Sequence, residues 1–406
     1  MVWSLGPSRR TVVGMLTGAG MSAVISFHSA CRFFSQDQWE VDRLGLAVAR
    51  LVVDRLLPAG APITVAVDDT LFRRWGKKVH HAFWTHDGAA QGPAKLGRGN
   101  RRVVAGIVVQ LSFTSHPTCL PVLFRLWAGK HTTSPVQLAG QMISLLTDTF
   151  PDRVIHVVGD AAYHGTPLSV ADATMTTRLP VNAALYRPTP PRTDRRGRPR
   201  KKGHRPGTPT DLAATERWHT VRVDRYGHTD TIQAATLACL WYGAFADTPG
   251  RLVLVRDPGS TTGYDLALFT TDTSATAGQI VARYAQRWSI EVANATGKQV
   301  LGVGQARNRV AHPVERTVPF GFLVQTLVTC WYATIGYHRD DLAGRNAAEP
   351  WYTNTEPAFE DMLAKLRRTL TEFVKMFELA IKPWRPCSWS LAWSVRWPWL
   401  LRGASG

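Results

Sequence analysis

Acidic residues are few for a chain of this length. The 406 residues include 30 Asp and Glu against 48 Lys and Arg, which gives a formal charge of +18. Such an excess indicates an anionic polymer as partner, most often nucleic acid and less often an acidic membrane surface. Hydrophobic residues make up 45% of the chain and aromatic residues 10%, so wholesale disorder is excluded.

Cysteines and long apolar runs are also scarce. The five cysteines form no C-x-x-C pair and are odd in number, which argues against a zinc ribbon or a disulfide framework and fits a reducing cytosol. The one long uncharged stretch, 317–336, contains Pro319, Gln325 and several threonines. A membrane span needs about 20 predominantly apolar residues. We therefore interpret the stretch as a buried helix and expect a soluble protein without a membrane partner.

Helical and strand patterns alternate before residue 160. Apolar residues at helical spacing predict a helix over 41–56, and Pro58 and Gly60 end it. Another helix is predicted over 136–150. Strands are predicted over 63–67, 102–111, 120–127 and 153–159. This alternation indicates an α/β core with buried strands.

A basic, proline-rich segment follows at 187–205. It holds nine Lys and Arg against one Asp, and its four prolines exclude a helix, so an extended loop is predicted. The strands predicted over 218–223, 229–241 and 252–256 would form an antiparallel insertion. Helices return at Ala277, continue over 320–335 and end with 358–379.

Two aspartates end apolar runs: Asp68 follows ITVAV and Asp160 follows VIHVVG. The carboxyl ends of strands are where open α/β sheets place their ligand sites. A single such aspartate is often only a turn cap. Two of them in a chain of charge +18 would repel the polyanion that the other residues attract. A hard divalent cation such as Mg²⁺, which binds carboxylate oxygens and bridges them to phosphate, resolves this conflict.

A third acid lies on a helix predicted around Tyr284. At 100° per residue, one stripe about 60° wide holds four polar side chains: Tyr284, Arg287, Glu291 and Lys298. A purely structural amphipathic helix would place Leu or Val there. The alternative is a solvated face on which Arg287 and Glu291 form an i,i+4 pair. Apolar residues on both flanks indicate a packed helix, which favours a functional site.

The spacing of these four residues resembles the Y-R-E-K signature of bacterial insertion-sequence transposases of the DDE superfamily. The segment AVDDTLFRRWGKK resembles the D-x-T setting of their first acid, and VVGDAAYHG resembles that of the second. The resemblance covers roughly residues 11–368. It implies an α/β fold with an RNase H-like catalytic core, a mixed sheet flanked by helices. A β-rich insertion would interrupt the core, and the N- and C-terminal regions would be helical.

The domains expected from this resemblance follow the changes in composition. A helical N-terminal region, a shortened DNA-binding part, occupies 1–60, and the first part of the core occupies 61–175. The basic loop and the inserted strands occupy 176–262. The core resumes over 263–345, and a C-terminal helix with a Trp-rich tail occupies 346–406.

The resemblance also implies a mechanism. Asp68, Asp160 and Glu291 would hold two Mg²⁺ ions, for which Mn²⁺ substitutes, on the attacking and leaving oxygens of an in-line displacement at phosphorus. Water would nick DNA at the element's end, and the freed 3′-hydroxyl would attack target DNA. Tyr284 and the two cations of the stripe would position the strand through its phosphates, which fix register without reading sequence.

The first acid has two candidates. The D-x-T setting favours Asp68, because Thr70 follows it after one residue. Strand alternation instead places Asp69 on the face of Val65 and Val67. Asp69 therefore stays open as the alternative first acid.

Further DNA contacts are predicted from basic residues. RGRPR in the basic loop resembles an AT-hook core, which lies extended in a narrow minor groove. The alternative is a tether that binds phosphates only. Two lysines just after the first acid are expected to line the same channel. The predicted DNA-binding residues are Tyr284, Arg287, Lys298, Arg196, Arg198, Arg200, Lys201, Lys202, Lys77 and Lys78.

The function predicted is that of a DNA transposase, which cleaves phosphodiester bonds at transposon ends and transfers the 3′-hydroxyl into target DNA. A Mg²⁺-dependent nuclease without strand transfer would use the same acids, and a catalytically silent DNA-binding remnant is the non-enzymatic alternative. The expected partners are double-stranded DNA and, on DNA, a second copy of the chain. The expected location is the bacterial cytoplasm, at the nucleoid.

Overall fold

One mixed sheet dominates the larger of the two units into which the chain divides, Met1–Leu363 and Ala364–Gly406. The computed structural model describes residues 11–381, apart from 19–20, 23, 89, 91–92, 171, 192–199 and 350. The strands are β1 (Ile63–Arg73), β2 (Phe83–His86), β3 (Leu96–Val109), β4 (Thr118–Leu126), β5 (Ile155–Gly159), β6 (Ala173–Arg178), β7 (His219–Arg225), β8 (His228–Cys239), β9 (Gly250–Arg256) and β10 (Leu266–Thr270).

The helices fit most of the predicted spans. They are α1 (Val12–Gly18), α2 (Phe27–Ser35), α3 (Val41–Leu56), α4 (Pro135–Thr149), α5 (Pro209–Thr215), α6 (Tyr242–Phe245), α7 (Ala277–Ala285), α8 (Trp288–Gln299), α9 (Ala311–Trp331), α10 (Asp341–Ala348) and α11 (Phe359–Ile381). The prediction for 41–56 is confirmed at both ends. The helix α4 begins with Ser134 as N-cap and Pro135 in its first turn, which is a strong start signal.

The strand order is β2-β3-β1-β5-β6-β10-β9-β8-β7, and β4 pairs with β3 beside β2. β1, β3 and β4 are antiparallel neighbours, whereas β1, β5 and β6 run parallel. The three strands predicted after the basic loop are observed as β7, β8 and β9. They continue the main sheet through β10, which pairs antiparallel with β6.

The strand β1 extends further than the sequence predicted. The predicted end at Val67 is wrong, because β1 pairs with β3 from Thr64 to Arg73. Backbone hydrogen bonds to β3 outweigh the low strand propensity of the two aspartates. Asp68 and Asp69 therefore lie within a strand, while Asp160 directly follows β5 as predicted.

The helix predicted around Tyr284 is divided. α7 ends at Ala285 and α8 begins at Trp288. Between them the N–H of Arg287 donates to the carbonyl of Tyr284 at 3.0 Å, an i→i−3 bond in place of the α-helical i→i−4 bond. The prediction of one continuous helix is thus wrong at this turn, and 100° per residue does not hold across it.

Helices α3, α8 and α9 pack against the β4 side of the sheet. In the described part of the chain, α9 continues through a π-helical turn to Gly336. By length and composition this one segment, Ala311–Gly336, could cross a membrane, but 67% of its most apolar window is buried inside the protein. Thr326 in this helix donates to the carbonyl of Pro121 on β4 at 2.8 Å. This burial is that of a core helix, as expected for 317–336.

Candidate active site

Two aspartates lie side by side on adjacent parallel strands. The register pairs Val67 of β1 with Gly159 of β5, so the next residues, Asp68 and Asp160, lie level on one face of the sheet. Burial raises the pKa of the Asp68 carboxyl to about 7, and the charges of Asp69 and Asp160 add to this effect. No basic side chain in the described part of the chain lies within ion-pair distance of Asp68. Asp68 therefore has no direct ion-pair partner among these residues and lies next to a second carboxylate.

Asp69 has the opposite environment. Its carboxylate accepts two hydrogen bonds from Arg101, at 2.6 and 2.8 Å, and a third from the Tyr163 hydroxyl at 3.0 Å. Burial and the charge of Asp69 raise the pKa of Tyr163, which keeps this hydroxyl a donor. Sequence reasoning missed Arg101 and Tyr163, because only the register of β3 and the turn after β5 bring them to Asp69.

The polar stripe of α7 and α8 reaches the face that carries Asp68. Arg287 Nη1 lies 2.7 Å from Glu291 Oε1. Burial opposes the charge on Arg287. Its hydrogen bond to Glu291 and its electrostatic interactions with Glu291, Tyr284 and Asp68 outweigh burial and raise the guanidinium pKa. Burial raises the pKa of Tyr284. The Arg287–Glu291 pair of the alternative interpretation thus forms, with Asp68 close enough to interact with Arg287.

Lys298 connects α8 to β1. Its ammonium donates a hydrogen bond to the hydroxyl of Thr70 and lies 5.1 Å from the ring centroid of Phe72. Burial lowers its pKa. Thr70 is the threonine of the D-x-T setting, so the two sequence motifs that carried the resemblance meet at this contact.

The donor set fits a divalent cation in part. Asp68 and Asp160 supply hard carboxylate oxygens, and burial together with the neighbouring carboxylates raises the pKa of Asp68, an environment that a bound cation would relieve. Glu291 is instead held by Arg287. Among the residues that the structure describes, no three His, Cys, Asp or Glu side chains lie close enough to hold a metal ion together. The three predicted acids are therefore not gathered into one cluster in this conformation.

The two ends of the basic loop are hydrogen-bonded to each other. The N–H of Arg187 donates to the carbonyl of His204 at 2.9 Å, and the Thr189 hydroxyl donates to the carbonyl of Lys201 at 2.8 Å. Lys202 lies 3.8 Å from the ring centroid of Tyr186, so its charge faces an aromatic ring. Arg200 and Lys201 are exposed. The predicted contacts Arg196 and Arg198 lie outside the described residues.

The other predicted DNA contacts are distributed on the surface near β1. Lys77 and Lys78 are exposed in the loop after this strand. Trp241 is buried and stacks on His164, with 4.6 Å between the ring centroids. Its surroundings are those of a core residue.

Residues 5–231 match the model of a family described as DDE superfamily endonuclease. The matched segment contains β1 to β7, with both aspartates of the pair, and ends within β8. No curated protein sequence matches the chain.

Proposed function

Because the chain belongs to the DDE superfamily endonuclease family, whose members use divalent metals, typically Mg²⁺, we propose that it is a DNA transposase of the insertion-sequence type. It would cleave phosphodiester bonds at transposon ends and transfer the 3′-hydroxyl into target DNA. The observation that carries the proposal is the level pair Asp68 and Asp160, covered by the helices that present Arg287 and Glu291.

Asp68 and Asp160 would hold the metal ions, and Glu291 would join them once Arg287 releases it. Two bound Mg²⁺ ions, with Mn²⁺ as a substitute, would stabilise charge on the attacking and leaving oxygens at phosphorus. The environment of Asp68 supports this assignment, since a cation there would reduce the repulsion between its carboxylate and those of Asp69 and Asp160. The alternative first acid, Asp69, has its oxygens occupied by Arg101 and Tyr163.

Arg287 would exchange partners when DNA binds. A guanidinium offers five donors in a fixed fork that suits phosphate as well as carboxylate. Arg287 now faces Glu291 and interacts with Asp68, so a phosphate that enters between the helix and the sheet would compete for it. Tyr284 and Lys298 would then hold the strand on either side of Arg287.

We further propose that the core is RNase H-like. In support, β1, β3 and β4 form an antiparallel meander, and α4 leads to β5 and β6, which run parallel to β1. The inserted strands β7 to β9 lie between the second aspartate and Glu291 in the chain. The Y-R-E-K spacing supports the insertion-sequence subtype and, with it, a dimer on DNA in the bacterial cytoplasm.

A nuclease without strand transfer is the second candidate, since the same acids would serve it. Supercoiled plasmid that carries the gene's own flanking DNA tests both, in Mg²⁺ and in EDTA. We expect metal-dependent cuts at fixed positions and products in which element and target DNA are joined, with both lost in Glu291→Gln. Asp148→Asn, at an exposed acid on α4, is the matched control. Cuts without joined product would favour the nuclease, and tight binding without any cut would contradict both enzymes.

A further inference from the structure

An exposed tryptophan marks the point where β1 leaves the sheet. Trp75 is 93% exposed, more than any other large apolar side chain that the structure describes. Lys77 and Lys78 follow it and are exposed too. Single exposed apolar residues are common on protein surfaces, so this residue gains meaning only from its surroundings.

The loop that carries Trp75, residues 74–82, is held by side chains of β3, mainly by that of Arg98. The Arg98 guanidinium on β3 donates four hydrogen bonds, of 2.7 to 3.3 Å, to backbone carbonyls of this loop: those of Arg74, Gly76, Lys77 and Ala82. Asn100 donates a fifth, to the carbonyl of His80 at 2.8 Å. The loop is thus fixed through its backbone, and the indole of Trp75 contributes little to that support.

A second loop, residues 302–310 after α8, is fastened to the first. Buried Arg74 donates to the carbonyls of Gly304 and, at 3.2 Å, Ala306. The N–H of His80 donates to the carbonyl of Arg309 at 2.8 Å. The side chains of Arg307 and Arg309 are exposed on this second loop.

Together the two loops form what we call the Trp75 surface, which comprises Trp75, Lys77, Lys78, Arg307 and Arg309. None of its four cations has a carboxylate within ion-pair distance among the described residues. An exposed indole on a rigid support, beside four cations without counter-ions, has the chemistry of a nucleic-acid contact.

We propose that the Trp75 surface binds DNA outside the catalytic site, with the Trp75 indole stacked on an unpaired base and the four cations on neighbouring phosphates. This inference rests on the proposed function. Aromatic platforms take unpaired bases of any sequence because every base has a π-face. Wedges that enter paired duplex steps are more often Phe, Leu, Ile, Met or Pro. Tryptophan therefore favours an unpaired strand.

The strand β1 sets the distance between this surface and the acid pair. Arg73, the last residue of β1, is five residues after Asp68. At about 3.3 Å per residue the two lie roughly 17 Å apart along the strand, which corresponds to about five nucleotides of one DNA strand. The opened base would thus lie at least about five nucleotides from the scissile phosphate.

Binding of two fluorescent DNA probes in EDTA tests the inference without cleavage. One probe is a fully paired 30-base-pair duplex, and the other has the same length with six mismatched pairs at its centre. Trp75→Ala should weaken binding of the mismatched probe about 5- to 100-fold, as expected for loss of one base–aromatic stack. The paired probe should change less than about twofold. Trp75→Phe should keep most of the affinity for the mismatched probe.

The control is Trp351→Ala, because Trp351 is 80% exposed and lies outside the Trp75 surface. It should bind both probes like the wild type. Equal binding of the mismatched probe by Trp75→Ala and wild type would overturn the proposal, and an equal loss on both probes would overturn the assignment to an unpaired base. If the protein cleaves DNA while Trp75→Ala binds normally, the inference fails and the proposed function stands. If binding depends on Trp75 but the protein never cleaves DNA, the inference stands and the proposed function fails.

Discussion

The two faces of β1 carry adjacent aspartates with opposite electrostatic environments. On one face, Asp69 has its charge matched by the bidentate Arg101 and accepts a third hydrogen bond from Tyr163. On the other, Asp68 lies beside Asp160, and burial with like charges raises its pKa to about 7. Strand alternation alone separates them. The comparison favours a structural role for Asp69, whose charge is paired, and a cation-binding role for Asp68, which has no ion-pair partner among the described residues.

The largest effect on stability is expected from removing the ion-pair partner of Asp69. Arg101→Ala leaves the mostly buried Asp69 carboxylate without its partner, which costs about 3–5 kcal/mol when a buried pair is broken. Urea denaturation of the metal-free protein measures this as a lower free energy of unfolding. Arg125→Ala, which removes an ion pair with the more exposed Asp42, is the control and should cost less. Equal losses would show that the Arg101–Asp69 pair contributes no more to stability than the more exposed Arg125–Asp42 pair.

Removing the charge of Asp68 should change the free energy of unfolding in the opposite direction. The folded pKa of Asp68, about 7, lies above its ordinary value of 3.8, so folding holds a proton there. Stability of the metal-free protein should therefore fall as pH rises from about 4 to 7 and then level off. Asp68→Asn removes this loss and should raise the free energy of unfolding at pH 8 in EDTA, by at most about 4 kcal/mol. A less stable Asp68→Asn protein would contradict the assignment.

A smaller effect is expected at His156, on β5 and on the same face as Asp160. Burial, with the charge of Arg283, lowers the pKa of His156 to about 4 from 6.5. The unfolded chain takes up a proton first, so stability should fall as pH drops from 6.5 towards 4, by up to about 3 kcal/mol. His156→Gln should reduce this loss of stability, measured by urea denaturation as the difference between the free energies of unfolding at pH 7.5 and pH 5. An unchanged difference would show that His156 titrates normally.

Much of the fold near the acids could be predicted from the sequence. Helix 41–56 has clear apolar spacing and a proline-glycine stop, and Asp160 follows an unmistakable apolar strand. The end of β1 could not be predicted, because β3 pairs with a polar stretch that looks like a turn. Alternation correctly placed Asp69 on the face of Val65 and Val67, but its partner Arg101 depends on a register that the sequence does not reveal.

The helix residues were predicted in part. The i,i+4 pair between Arg287 and Glu291, which belonged to the solvated-face alternative, is present in the structure. The turn between α7 and α8 was missed, since no Gly or Pro marks it. The meeting of Lys298 with Thr70 joins elements that are far apart in the chain, so only the folded structure brings them together. Trp75 gave no periodic signal, because it lies in a loop whose backbone is held by Arg98 of another strand.

The central claim is that Asp68, and not its neighbour, is the first catalytic acid. The most direct measurement is the rate of Mg²⁺-dependent cleavage of the gene's flanking DNA by Asp68→Asn and Asp69→Asn, compared at a temperature where both are folded. We expect Asp68→Asn to lose at least about a thousandfold in rate, as when a group that stabilises the transition state is removed. Asp69→Asn should keep a substantial fraction of the wild-type rate. Full activity in Asp68→Asn with none in Asp69→Asn would contradict the account.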